Sequence, residues 1–153
     1  MHKFKTFIGI DISKNTLDIA IINQEKNLHQ QIPNTYKEIK KFFRKIVQEA
    51  DSALICMEHT GIYCHGLLTY FQEQKHNVWV VHPAHIKKSA GICRGKNDRI
   101  DALRIAQFAQ RHQEDAQLWT PSRKVLNTLQ HLMHGTYRYL LSWLISLFSG
   151  TIT

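Results

Sequence analysis

Runs of unbroken apolar residues, separated by short polar breaks, set out the first half of the chain. Phe7 to Ile12 is apolar except for Asp11 near its end, the pattern of a strand buried on both faces. Ser13-Lys14-Asn15 reads as a turn, and Thr16 to Asn23 as a second strand returning antiparallel to the first. Leu28 to Ile32 is shorter and more polar, as an edge strand should be. Pro33-Asn34-Thr35 looks like a helix start. Ile39, Phe42, Phe43, Ile46 and Val47 then recur at helical spacing, with Lys37, Lys40, Lys41, Arg44 and Lys45 on a solvated face. Ser52 to Met57 is a second fully apolar strand, and it too ends on an acid, Glu58. After His59-Thr60-Gly61 a helix is predicted from Ile62 to about Gln74, with Leu67, Leu68 and Phe71 inward. Asn77 to Val81 is a fifth strand, stopped by His82-Pro83.

The stretch from His82 to Arg104 breaks this rhythm. Lys87, Lys88, Arg94, Lys96, Arg99 and Arg104 outnumber Asp98 and Asp101, and Gly91 and Gly95 bracket what reads as a flexible basic loop. A helix is predicted from about Asn97 to about His112, with Ile100, Leu103, Ile105, Ala106 and Phe108 as its apolar positions. Beyond Trp119, Thr120 can cap a further helix at its start and Pro121 suits its first position. Val125, Leu126, Leu129, Leu132 and Met133 form its apolar stripe, a packing surface that makes self-association plausible. Gly135 interrupts it, and no acid occurs after Asp115.

Composition narrows the partners. The 153 residues suffice for one domain with a real core. A net charge of +8 and a pI near 9.5 favour a polyanionic partner such as nucleic acid. Cys56, Cys64 and Cys93 are odd in number and form no C-x-x-C pair, so neither a disulfide framework nor a zinc knuckle is suggested, and a reducing cytoplasm fits best. The most apolar run, Leu140 to Phe148, is far short of the roughly 20 residues a membrane span needs.

The candidate chemistry lies in four acids. A carboxylate at the end of a buried strand carries a desolvation cost. Asp11 either accepts bonds from the Ser13-Lys14-Asn15 turn or meets a cation or substrate. Asp98 and Asp101 share one face near a helix N-terminus, where acids often only complement the dipole. The order β-β-β-α-β-α-β-α, with an acid closing the first and fourth strands and two on a later helix, resembles a ribonuclease H-like α/β fold. In a mixed five-stranded sheet ordered 3-2-1-4-5, flanked by helices, Asp11 and Glu58 would be neighbours with the Asp98/Asp101 helix closing over them. Four such carboxylates repel unless cations bind, and Mg2+ or Mn2+ are the matching hard ions. Two such ions about 4 Å apart serve phosphodiester chemistry.

Three motifs carry a closer resemblance: Gly9-Ile10-Asp11-Ile12-Ser13-Lys14, Glu58-His59-Thr60-Gly61-Ile62-Tyr63 and Gly95-Lys96-Asn97-Asp98-Arg99-Ile100-Asp101-Ala102. Together they resemble the N-terminal domain of the insertion sequence 110 transposases, the DEDD recombinases that include pilin-gene invertases. The resemblance covers about residues 4 to 132. It implies a RuvC-like catalytic and metal-binding tetrad of Asp11, Glu58, Asp98 and Asp101, with Mg2+ or Mn2+ as cofactor. It also implies DNA as substrate and, for some members, an element-encoded guide RNA. Residues 4–112 would be the catalytic domain and 113–153 a helical extension with an atypical tail. Asn97 stands where many members have Thr, and Ile62 where many have Gly. Members carry a second domain with a nucleophilic serine. Its absence here, with the unfamiliar sequence after His134, leads to the expectation of a truncated gene product.

Lys87, Lys88, Arg94, Lys96, Arg99 and Arg104 are the expected phosphate contacts. Tyr63 offers a face for stacking on a base, and His59 can orient a ligand or shuttle a proton, though each also suits a plain packing or turn role. Two other classes stay open. One is a non-catalytic nucleic-acid-binding or dimerising remnant. The other is an ATP-binding domain of the actin and sugar-kinase type, which shares the Gly-Ile-Asp hairpin but needs a glycine-rich phosphate turn where Ser13-Lys14-Asn15 stands.

Overall fold

The computed structural model describes residues 4–24, 27–46, 52–90 and 97–120, with the side chains of Lys87 and Ala90 excepted. The chain divides into two compact units, Met1–Trp119 and Thr120–Thr153, and every element described belongs to the first. The predicted helix over 125–133 and the tail lie outside the described residues.

Five strands, β1 (Thr6–Ile12), β2 (Thr16–Ile22), β3 (Asn27–Pro33), β4 (Ala53–Glu58) and β5 (Asn77–Val81), form one sheet ordered β3-β2-β1-β4-β5. The β1–β2–β3 meander is antiparallel, whereas β4 and β5 run parallel to β1. The mixed ribonuclease H-like order expected from the pattern is therefore the observed one. β3 is the polar edge, with only Ile32 buried.

Strand alternation sorts the side chains into two cores. Ile8, Ile10 and Ile12 join Leu17, Ile19, Ile55 and Met57 on one face, covered by α1 (Tyr36–Ile46) and α2 (His65–Glu73). Phe43, Tyr70 and Phe71 fill that layer, with Phe43 and Phe71 edge to face at a ring-centroid distance of 4.8 Å. Phe7, Ala20, Ile22, Leu54, Cys56, Trp79 and Val81 line the other face, covered by α3 (Pro83–Ala90) and α4 (Asp98–Arg111).

Two local differences from the sequence reading have clear causes. The helix predicted from Ile62 starts only at His65, because Gly61 sits at φ +61°, and Gly61–Cys64 forms a 3-10 turn first. The supposed loop after His82 contains α3: Pro83 serves as its first residue, and the Ala84 amide donates to His82 Nδ1 at 3.3 Å. At the far end, Gln113 is buried, and the Trp119 amide donates to Val78 O at 2.6 Å. Among the described residues no helix is long and apolar enough to cross a membrane.

The position of α4 is set at Gly9. A Cβ there would lie 2.2 Å from Ala102 O and 2.3 Å from Ala106 N, both backbone atoms. Ala102, Ala106 and Ala109 are fully buried, so the helix lies on β1 with almost no side chain between. Gly9→Ala is expected to cost about 3 kcal/mol or more, the upper range for overpacking, because backbone cannot rotate away. Urea unfolding monitored by circular dichroism measures it, and a loss under about 1 kcal/mol would show that α4 is not seated as described.

Candidate functional site

The alternation that puts Phe7 and Gly9 beneath α4 also puts Asp11 on that face. In the β1–β2 ladder Asp11 is paired with Asp18. The parallel β1–β4 ladder ends at Ile10 and Met57, and Asp11 and Glu58 are the residues that follow on the two strands. Glu58 follows Leu54 and Cys56 on the α4 side of β4. α4 begins over this end of the sheet, capped by Asn97, whose side chain accepts from the Arg99 amide at 3.0 Å. Its first turn carries Asp98, exposed, and Asp101, partly buried. The four acids therefore come from three separate segments and lie towards one end of one face, near enough for Asp101, Asp98 and Glu58 to act on Asp11 through their charge.

Their mutual field is visible at Asp11. Its carboxyl is raised from the ordinary value of 3.8 to about 6, by burial first and then by Asp101, Asp98, Glu58 and Asp18. Burial, then Glu58, likewise pushes the Cys56 thiol up. Cys56 and Cys64 are buried free thiols with raised pKa, unsuited to nucleophilic work, and Cys93 lies outside the described residues.

Asp18 is a fifth acid that the sequence reading passed over. It is only 5% exposed, and both its oxygens are occupied by the edge strand: His29 Nε2 lies 2.9 Å from Oδ1, and Gln31 Nε2 donates to Oδ2 at 2.8 Å. The signal was in the hairpin. A turn centred between Lys14 and Asn15 sets residue 18 opposite residue 11. Asp18 is thus held by hydrogen bonds from the edge strand, beside Asp11 in the ladder.

The expected basic contacts divide. Lys88 on α3 and Arg99 on α4 are exposed. Arg104 instead donates from Nη1 to Asp101 Oδ1 at 2.8 Å, half-buried beside the acids. Arg94, Lys96 and the Lys87 side chain lie outside the described residues. Tyr63 and Ile62 are exposed on the turn after Glu58, and two residues after Glu58 the Thr60 hydroxyl is buried without a hydrogen-bond partner.

Hard oxygen donors and an excess of negative charge match Mg2+ or Mn2+ in kind. Among the described residues no three His, Cys, Asp or Glu side chains are close enough to hold an ion, and Asp101 is turned to Arg104. The fit lies in donor chemistry and placement on a shared face.

A five-stranded sheet of this order, with acids at the ends of β1 and β4 and on the crossing helix, defines a RuvC-like, ribonuclease H-like domain. RuvC of T. thermophilus in complex with a Holliday junction substrate is similar, with a TM-score of 0.57 at 12% identity, over 75% of this chain and 99% of that one. The chain belongs to the DEDD transposase family of the insertion sequence 110 type, whose model, described as Transposase, matches residues 8–143. Relatives include the pilin gene-inverting proteins of Moraxella lacunata and Moraxella bovis, each 31% identical over 76% of this chain and 37% of the relative. The transposase for insertion sequence element IS1533 of Leptospira borgpetersenii is 29% identical over 69% of this chain and 31% of its own length. The matched stretch thus spans about a third of the length of these curated relatives.

The raised Asp11 carboxyl has a thermodynamic consequence. A carboxyl whose folded pKa exceeds its unfolded value stabilises the fold fully below about pH 4 and loses that contribution as pH rises through about 6. Asp11→Asn should therefore stabilise the metal-free protein at pH 7 by about 1–2 kcal/mol, a value reduced for solvent screening of a half-exposed group, and by almost nothing at pH 4. Thermal unfolding at the two pH values checks this, and equal effects at both would contradict it.

Proposed function

We propose that this domain performs divalent-metal-dependent cleavage and transfer of DNA strands, with Asp11, Glu58, Asp98 and Asp101 holding Mg2+ or Mn2+. The observation that carries the proposal is the placement of carboxylates from β1, β4 and α4 on one face, where burial first and then the neighbouring acids raise Asp11 to about 6. Asp11 and Glu58 are anchored in the sheet and give the site its rigid floor. Asp98 and Asp101 come from the helix, and Asp101, now bonded to Arg104, would have to give up that bond to help hold an ion. An ion bound there supplies an activated nucleophile and charge stabilisation at a phosphodiester.

Lys88 and Arg99, exposed on α3 and α4, supply sequence-independent contacts to phosphates, together with Lys87, Arg94 and Lys96 of the same basic stretch. Arg104, tied to Asp101, is freed for such a contact only when that bond is exchanged. DNA is the proposed partner. A guide RNA and self-association through residues 126–133 rest on the family resemblance and the apolar stripe alone. Membership in the transposase family leaves the ATP-binding alternative without support.

Removal of one anchoring acid is the direct test. Asp11→Asn and Glu58→Gln should each weaken Mn2+ binding in calorimetry. Each should also lower Mg2+-dependent nicking of branched DNA by about 100-fold, equivalent to about 3 kcal/mol. EDTA should abolish nicking in the unmodified chain. Nicking that survives both EDTA and Asp11→Asn would sink the proposal.

A further inference from the structure

Two of the three segments that bring carboxylates to the site end in turns, and one side chain joins those turns. The first turn follows Asp11. It is stiffened by Ser13, whose Oγ lies 2.8 Å from Thr16 Oγ1 and accepts from the Thr16 amide at 3.1 Å, while the Ser13 amide donates to Thr16 O at 3.0 Å. The second is the 3-10 turn after Glu58, where Cys64 Sγ donates to Gly61 O at 2.9 Å and the His65 amide to Ile62 O. Neither turn is within the sheet, so the ladder that aligns β1 with β4 does not itself fix them.

Asn34 lies between them, just after β3. Its backbone amide donates to Asn15 O at 2.8 Å. Its side-chain Nδ2 donates to Ser13 O at 2.9 Å and to Tyr63 O at 3.1 Å, which uses both of its hydrogens. Ser13 is two residues from Asp11, and Tyr63 is five from Glu58. A carboxamide is suited to this place, since it offers two N–H groups at a fixed angle to two carbonyl oxygens and adds no charge beside the acids. Serine offers one donor, and aspartate would set a carboxylate against two carbonyls.

We infer that Asn34 is a positioning residue for the acid cluster: its carboxamide fixes the separation of the Asp11 and Glu58 turns, and through them the arrangement of the two carboxylates that receive a cation. The inference rests on the metal-binding reading above, and its test separates the two. Groups that orient metal ligands from behind typically change metal affinity by about 10-fold to 100-fold when removed.

The test compares Asn34→Ala with Asn77→Ala in the full chain. Asn77 also donates to a carbonyl, Ala53 O at 3.4 Å, but at the opposite end of the strands. Asn34→Ala should speed amide exchange at both Thr16 and His65, and weaken Mn2+ binding about tenfold. Asn77→Ala should do neither, whatever its effect on the melting temperature. Faster exchange at only one of the two turns, or Mn2+ affinity in Asn34→Ala equal to that in Asn77→Ala, would overturn the inference. If Asn34→Ala does not fold, Asn34→Ser, which keeps one donor, should show the same joint change at smaller size. If the unmodified chain takes up no Mn2+, the metal reading fails, while amide exchange at the two turns still decides whether Asn34 couples them.

Discussion

The close approach of α4 to β1 at Gly9 is the contact on which the rest depends. Asp98 and Asp101 belong to a helix that is far from Asp11 in sequence, and only the seating of Ala102 and Ala106 on a strand position without a side chain brings that helix's first turn over the strand end. The contact is apolar and short, and behind it lies a full layer: Ile105 and Phe108 pack with Phe7, Leu54 and Trp79. Burial of each large side chain there contributes about 1.5–3 kcal/mol. That is the reserve against which the repulsion among the acids must be set, and a few such side chains outweigh the part of it felt at Asp11. Packing at one end of α4 thus makes tolerable a charge distribution at the other end that would otherwise push the helix away.

Much of this could be read from the chain. The fully apolar runs of β1 and β4, each closing on an acid, marked buried strands whose ends mattered, and the polar β3 announced an edge. What escaped the pattern did so for physical reasons. α3 was hidden because lysines and glycines dominate its neighbourhood, and Pro83 stops one element while starting the next. The beginning of α2 was misplaced because a helix-like composition cannot reveal that Gly61 adopts a left-handed φ. Asp18 looked like an ordinary polar member of a strand. Its importance comes from pairing with Asp11, a property of the hairpin register and not of its own surroundings in sequence. Asn34 looked like a helix-start residue, and its bonds to Ser13 and Tyr63 exist only after the two turns have been brought together.

Charge along the basic stretch is distributed in a way that composition cannot show. Arg99 and Arg104 are five apart on one helix, yet Arg99 faces solvent and Arg104 lies against Asp101. An acid and a base three apart on a helix are within reach of each other, and partial burial strengthens the pair by lowering the local dielectric. The pair offsets charge at Asp101. Asp11, partly buried near the other acids, is raised to about 6 by burial first and then by their charge.

A group of like charges supplies no cohesion of its own, so its geometry must come from contacts that lie behind it. Here each relation among the acids has its own such contact. Backbone pairing between β1 and β4 sets Asp11 beside Glu58, and Gly9 against Ala102 and Ala106 sets the helix acids over the strand. Asn34 spans the turns beyond the ladder, and His29 and Gln31 hold Asp18 from the edge. None of these contacts needs the carboxylates to attract one another, and only that of His29 and Gln31 is made to a carboxylate itself. The placement of the acids is therefore set by contacts of the backbone and of uncharged side chains, and their mutual repulsion is borne by the packing behind them.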